Sequence, residues 1–286
     1  MKGVVLAGGQ GSRLYPATQI ISKQLTCLYD KPVIYYPLSV LMAANIRDIC
    51  IVCDTHCLSQ YRALLGDGSQ FGINLSFVPQ LRANGVAEAP LLCAQFLGQE
   101  PFCLILGDNV FSGSDSINQL VTEWQAGCHV FAYRVKNVSP YGEIRFDSAG
   151  KVTELVEKPA GNKPGFAVPG FYLFDNTAID RAKCLQPSRR GELEIVDLLN
   201  TYLDDELLIA TKLTRGFAWL DVGTPASLLS AANYIATIEE RQGQKIGAPE
   251  EVALKRGFIS KQDFNAWVSS MPTGHYQNYL LSLLDV

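Results

Sequence analysis

The first hundred residues alternate between short, unbroken apolar runs and helix-like segments, and this alternation restricts the possible folds more than any other feature. "KGVVLAGG", "DICIVCD", "INLSFVPQ" and "PFCLILGDN" read as strands without the hydrophobic–polar alternation of a half-exposed sheet, so both of their faces are expected to be buried. Between them, "VIYYPLSVLMAAN", "LSQYRALLG" and "AEAPLLCAQFLG" read as helices. A βα repeat of this kind predicts an α/β fold with a mostly parallel, Rossmann-like central sheet covered by helices on both faces. From about residue 130 the pattern changes: "HVFAYRV", "GEIRFD", "KVTELVEKP" and "FAVPGFYLFD" are strand-like runs separated by turns, which predict an antiparallel addition. Helical patterns return at "EIVDLLNTYLDD" and "SLLSAANYIATIEERQG", and the last ~40 residues read as short amphipathic helices.

Composition sets the scale. With 286 residues, 48% of them hydrophobic, the chain can bury a large core. No apolar stretch reaches the ~18 residues of a membrane span, and the N-terminal apolar run is too short for a signal peptide, so no membrane association and a cytoplasmic location are expected. A formal charge of −4 argues against nucleic acid as a partner and assigns any anionic ligand to a pocket of locally concentrated Lys and Arg. The eight cysteines include a zinc-like cluster at Cys50, Cys53, His56 and Cys57. On a strand, however, residues three apart point to opposite faces, so Cys50 and Cys53 are expected to be small core residues.

In open α/β sheets ligands sit beyond the carboxyl ends of the strands. Four residue sets gather there. The first strand runs into "GGQGSR", where glycines let main-chain N–H groups approach an anion and Arg13 can grip phosphate oxygens. The spacing fits neither the dinucleotide fingerprint, which needs Gly where Leu14 stands, nor a P-loop. "SKQL" adds Lys23, and "ILGDN" delivers Asp108 and Asn109 at the end of an apolar strand. Asp221 in "FAWLDVGTP" is a second carboxylate in the same kind of place, and the two make a Mg²⁺ site plausible, although each alone would read as a capping residue.

These stretches, with "YDKPVIYYPLSVLM", "LLGDGSQFG", "YGEIRFD", "EKP" and "RGELEIVD" in order between them, resemble the sugar nucleotidylyltransferases over nearly the whole chain. The resemblance implies in-line attack of a sugar 1-phosphate oxygen on the α-phosphorus of a nucleoside triphosphate, with Mg²⁺ as cofactor and pyrophosphate leaving. The substrate pair it implies is dTTP and glucose 1-phosphate, with UTP or another sugar 1-phosphate as the alternative. A catalytically silent sugar-nucleotide sensor is the alternative of another class.

By motif position the resemblance implies that Arg13 and Lys23 are catalytic and that Asp108 and Asp221 hold the metal. Gly8, Gly9, Gly11, Ser12 and Gln24 would line the nucleotide, with Gln80 and Gly85 near its base. Asn109, Gly142, Glu157, Lys158, Val168 and Tyr172 would line the sugar phosphate. It further implies a homotetramer, a nucleotidyltransferase domain over residues 1–242 and a helical extension over 243–286. Within the domain, the nucleotide would lie on about 1–127 and the sugar on about 128–224.

Glu192 and Glu194 are read as favouring a helix N-terminus and left out of the site. Glu88, if it lies one turn into the following helix with its carboxylate in solvent, is expected to leave base preference unchanged, whereas an inward carboxylate could accept from the exocyclic amine of cytosine. Ala83, Val86, Glu88, Pro90 and Pro169 depart from the family's usual residue types beside the base and the sugar. The segment "VFSGSDSINQ" lacks the Tyr and His that relatives use around a second nucleotide site, which implies weak or absent feedback inhibition.

Overall fold

A computed structural model describes residues 1–9, 11–113 and 115–285, and of residues 115–117 the backbone only. The segment after "LGDN" expected to bear on feedback control thus lies partly outside the described residues.

The parallel half of the sheet is built from β1 (Lys2–Ala7), β4 (Asp48–Asp54), β5 (Asn74–Gln80) and β6 (Phe102–Leu106), in the order β6-β1-β4-β5. Two short strands, β2 (Cys27–Leu28) and β3 (Lys31–Pro32), pair with each other outside it. Along β1, β4 and β6 alternate side chains enter different cores. Val5, Ile51, Cys53 and Ile105 pack on one face, while Val4, Cys50, Val52 and Leu104 pack on the other. A one-residue slip would exchange the two sets, so burial of both faces holds the register. Cys50 and Cys53 lie in opposite cores, and among the described residues no group of three or more His, Cys, Asp or Glu could hold a metal.

Helices α1 (Tyr35–Ala43) and α2 (Leu58–Leu65) connect the strands as expected. The third expected helix is broken into α3 (Ala89–Leu92) and α4 (Ala94–Leu97), meeting at Cys93 with φ −93° and ψ 6°. The chain runs outward from β1 to β4 and β5, then returns to place β6 on the other side of β1. That reversal opens a crevice at the carboxyl ends of β1 and β6.

The antiparallel half comprises β8 (Cys128–Val135), β9 (Gly142–Phe146), β10 (Val152–Glu157), β11 (Gly165–Ala167) and β12 (Phe171–Phe174), in the order β10-β9-β11-β8-β12, with β12 pairing β6. The expected single strand "FAVPGFYLFD" is two, because Pro169 offers no N–H to a ladder and the chain changes neighbours there. The elements not read from the sequence include α5 (Asp115–Glu123), α6 (Ala178–Cys184) and β13 (Leu208–Lys212), which pairs in parallel with β8. Outside the sheet, β7 (Asn109–Ser112) pairs antiparallel with β14 (Ala218–Asp221).

Helix α7 (Ile195–Asp204) packs on β10, and α8 (Pro225–Gln242) follows a capping box in which Thr224 and Ser227 satisfy each other's backbone N–H groups. Gly243, at φ 66°, ends α8. Helices α9 (Pro249–Lys255), α10 (Lys261–Ser269) and α11 (His275–Ser282) complete the chain, α9 packing against α1. No helix among the described residues is long and apolar enough to cross a membrane.

Candidate active site

A cavity of about 600 Å³ opens at the switch point between β1 and β6. Its wall includes Gly8, Gly9 and Arg13 after β1, Lys23 and Gln24, Gln80 at the end of β5, Gly85, and Asp108 and Asn109 after β6. The antiparallel half contributes Gly142, Lys158, Val168 and Tyr172, and β14 contributes Trp219 and Asp221. Gly11, Ser12 and Glu157 are the expected site residues that do not form part of this wall.

The carboxylates arrive by register. Gly107 donates its N–H to Leu6 at 2.8 Å, which pins the end of β6 to β1, and Asp108 follows at once. Across the β7–β14 ladder Asp221 stands opposite Asn109, the residue next to Asp108. The Asn109 amide holds this corner. Its Oδ1 accepts from Gly170 N at 3.0 Å and from Trp219 Nε1 at 2.6 Å, while its Nδ2 donates to Asp108 Oδ1 at 3.1 Å.

Burial works against the charge on Asp108, but the ion pair and hydrogen bond from Lys23 hold its carboxyl below the usual range. Asp221 goes the other way. Burial first, then the Asp108 charge, push it up to about 6 against the pull of Lys23 and Arg13. Two mutually repelling carboxylates, with Lys23 paired to Asp108, are hard oxygen donors whose repulsion a divalent cation would relieve. A magnesium-type ion needs only one or two protein carboxylates when phosphate oxygens and water supply the rest.

Cationic groups ring the same space. The Arg13 guanidinium lies beside Gly223 and Asp221, where a Cβ on Gly223 would come within 2.7 Å of Arg13 Nη2. Lys158 holds a left-handed backbone at φ 43°, and its N–H bonds Tyr141 O at 3.0 Å. A lysine seldom adopts that conformation, and such strain concentrates where a side chain must be aimed. Burial raises the neighbouring Glu157 carboxyl above its usual range, with Lys158 opposing.

Two corrections concern carboxylates. Glu194 is the N-cap residue of α7 but makes no side-chain cap. Instead it accepts from Ser188 Oγ at 2.7 Å and Arg190 Nε at 3.1 Å, and both Glu192 and Glu194 belong to the cavity wall. Arg190, which the sequence reading passed over, also reaches Glu157 Oε1 at 3.2 Å and so ties the β10 end to α7. Its signal was present in the charged run "RRGELE". The second correction is Glu88: its carboxylate is turned toward Gln80 and Asn84, at 2.9 and 2.7 Å, and is not free in solvent.

The loop carrying Gly85 is stitched to the segment that leads into α7. Leu193 N bonds Asn84 O at 2.6 Å, and Ala87 N bonds Leu193 O at 3.1 Å. Gly85, at φ 109°, sits so close to the Leu193 backbone that no Cβ fits.

A strand-end crevice with paired carboxylates, clustered cations and a glycine turn defines a phosphate-handling α/β enzyme. A family model described as nucleotidyl transferase matches residues 2–238, and the chain belongs to that family of enzymes. It is similar, at 46% identity over 100% of its length and 99% of the relative's, to the glucose-1-phosphate thymidylyltransferase of Mycolicibacterium smegmatis. The enzyme of that name from Neisseria meningitidis is 45% identical, with 99% of each chain covered. Among solved structures, a putative glucose-1-phosphate thymidylyltransferase from Bacillus anthracis in complex with a sucrose superposes with a TM-score of 0.76 at 36% identity, covering 82% of this chain and 94% of that one. A UDP-glucose pyrophosphorylase complexed with UDP-glucose gives 0.72 at 25% identity, covering 83% and 98%.

Proposed function

We propose that the chain condenses dTTP with α-D-glucose 1-phosphate to give dTDP-glucose and pyrophosphate, with Mg²⁺ as its cation. The observation that carries this is the single cavity whose wall brings Gln80 and Gly85, Lys158 and Tyr172, and Arg13, Lys23, Asp108 and Asp221 together. Full-length similarity to glucose-1-phosphate thymidylyltransferases supports the substrate pair.

In this reading an oxygen of the sugar phosphate bonds to the α-phosphorus of dTTP as the bond to the departing pyrophosphate breaks. Lys158 draws in the sugar phosphate. Lys23 stabilises charge growing at the α-phosphate, and Arg13 grips the leaving phosphates. Mg²⁺, held by Asp108 and Asp221, would neutralise phosphate charge when bound. The triphosphate runs along Gly8 and Gly9, and Gly11 and Ser12 lead from there into Arg13. Asn109 acts by holding Asp108, and Glu157 through Arg190 and Lys158.

Uracil differs from thymine by one methyl group, worth about 1 kcal/mol on burial, so UTP is expected as a second, weaker substrate. The likeness to a UDP-glucose pyrophosphorylase supports that alternative. The reading also includes a cytoplasmic homotetramer in which residues 243–286 extend the catalytic domain. Phosphorus NMR of the protein with dTTP, glucose 1-phosphate and Mg²⁺ tests the reaction: dTDP-glucose and pyrophosphate should form in equal amounts, and hydrolysis of dTTP alone would refute it.

A further inference from the structure

We infer that a second cavity, bounded by α1, α2 and the C-terminal helices, binds a primary alkylammonium ion, with its charge against Glu250 and its chain against the rings of Tyr35, Phe71 and Trp267. The cavity measures about 610 Å³ and shares no wall residue with the active site. Tyr35 comes from α1, Glu250 from α9, Trp267 from α10, and Tyr276 and Gln277 from α11.

At 2% exposure Glu250 is the most buried carboxylate among the described residues, and it differs from the others in its company. Asp108, Glu143, Glu194, Glu239 and Glu251, all buried, each pair with a lysine or an arginine. Glu250 has no such partner among the described residues. Tyr276 Oη donates to its Oε2 at 2.7 Å. Lys31 acts on it from a distance, but that ammonium is engaged by Asp30 and Glu239. The first turn of α9 does not replace a cation either, since Glu251 occupies the same turn and still takes Lys255 at 2.6 Å. A carboxylate this buried is rare without a counter-charge, and burial raises the Glu250 carboxyl above its usual range.

The other polar groups of the wall select a donor. Gln277 Nε2 donates to Val268 O at 3.1 Å and Met271 O at 3.0 Å, and Gln70 Nε2 donates to Leu65 O at 2.7 Å. Each amide thus gives its nitrogen to the backbone and keeps its oxygen as an acceptor. Among the described residues the wall contains no lysine, arginine or histidine. A negative charge flanked by acceptors matches a cation that donates hydrogen bonds. The rings favour an organic one. Phe71 meets Tyr35 edge to face at 6.4 Å between centroids and Trp267 at 5.3 Å, a continuous aromatic surface that attracts a cation and covers an alkyl chain. A hard metal ion does not suit a wall with one carboxylate and so much aromatic surface.

The test follows the indole N–H signals in proton–nitrogen NMR of the full chain at neutral pH while butylammonium chloride or n-butanol is added at constant ionic strength. The two probes match in shape and differ in charge. Trp267 lines this cavity and Trp219 the active site, so the two indoles report the two places separately, with Trp267→Phe assigning the signal. The inference expects butylammonium to shift the Trp267 signal to saturation with a Kd of about 1 mM, as suits a ligand this small, and to leave Trp219 unmoved. Replacing the probe by n-butanol, or Glu250 by glutamine in Glu250→Gln, should each weaken binding by at least about tenfold. A Trp267 signal that does not saturate, a shift at Trp219 in its place, equal binding of n-butanol, or unchanged affinity in Glu250→Gln would overturn the inference. The two probes are compared in the wild type, so the result does not depend on the variant folding. None of these outcomes bears on the proposed reaction, which uses neither this cavity nor Glu250.

Discussion

Asp221 stands opposite Asn109 in the antiparallel pairing of β7 with β14, which places it beside Asp108 although 113 residues separate the two carboxylates in sequence. One ladder position thus builds the acidic corner. Asn109 secures it from within, bonding Asp108, Gly170 and Trp219 with a single side chain.

If that corner holds the cation, Asp108→Asn and Asp221→Asn should each lower turnover by at least about 10²-fold. The double variant should lose far less than the product of the two, since both act through one ion. Steady-state kinetics across a Mg²⁺ titration, with an EDTA control, reads both effects. Full activity in EDTA would exclude a metal role for the pair.

Asp221 also sets a pH dependence. Its carboxyl is raised to about 6 by burial and by Asp108, so it takes up a proton as pH falls through that region and, if it is a ligand of the cation, is then lost as one. The Mg²⁺ concentration for half-maximal rate should therefore rise between pH 7 and pH 5.5. Asp221→Asn should abolish that rise.

Lys23→Ala tests the transition-state role of the ammonium. Lys23 is paired with Asp108 at the cavity wall, and the account expects kcat to fall more than KM rises. A purely structural lysine would instead lower the melting temperature and leave the kinetics of the folded fraction normal.

His129 gives a stability prediction away from the site. Its ring is bonded to Thr211 Oγ1 at 2.9 Å, and burial lowers its pKa from the ordinary 6.5. The folded state thus favours the neutral ring, so its contribution is fully present above pH 6.5 and is lost as pH falls from there through the folded value. The melting temperature should decline between pH 7 and pH 5, and His129→Gln should flatten that slope. An unchanged slope in the variant would remove His129 from the account.

Much of the site was legible because strand ends announce themselves. Arg13, Asp108 and Asp221 each follow an apolar run and a glycine stands nearby, and each lines the cavity. The opposite faces of Cys50 and Cys53 followed from the two-residue period of a strand. What escaped depends on long-range contact. Glu194 sits at a helix N-terminus, where a dipole explanation suffices locally, and only the approach of Arg190 and Glu157 shows that its carboxylate faces the cavity. The direction of Glu88 is invisible for a similar reason, since Gln80 reaches it from a different element. Strand β13 escaped because "LLIATK" is short and half-exposed, its place set by β8.

The central claim is that this cavity joins a thymidylyl group to a sugar phosphate, and initial-rate pyrophosphate release tests it most directly. With Mg²⁺ present, release should require glucose 1-phosphate and follow the order dTTP, then UTP, with dCTP and the purine triphosphates far behind. Release from dTTP that does not depend on any sugar 1-phosphate, or a clear preference for a purine triphosphate, would contradict the account.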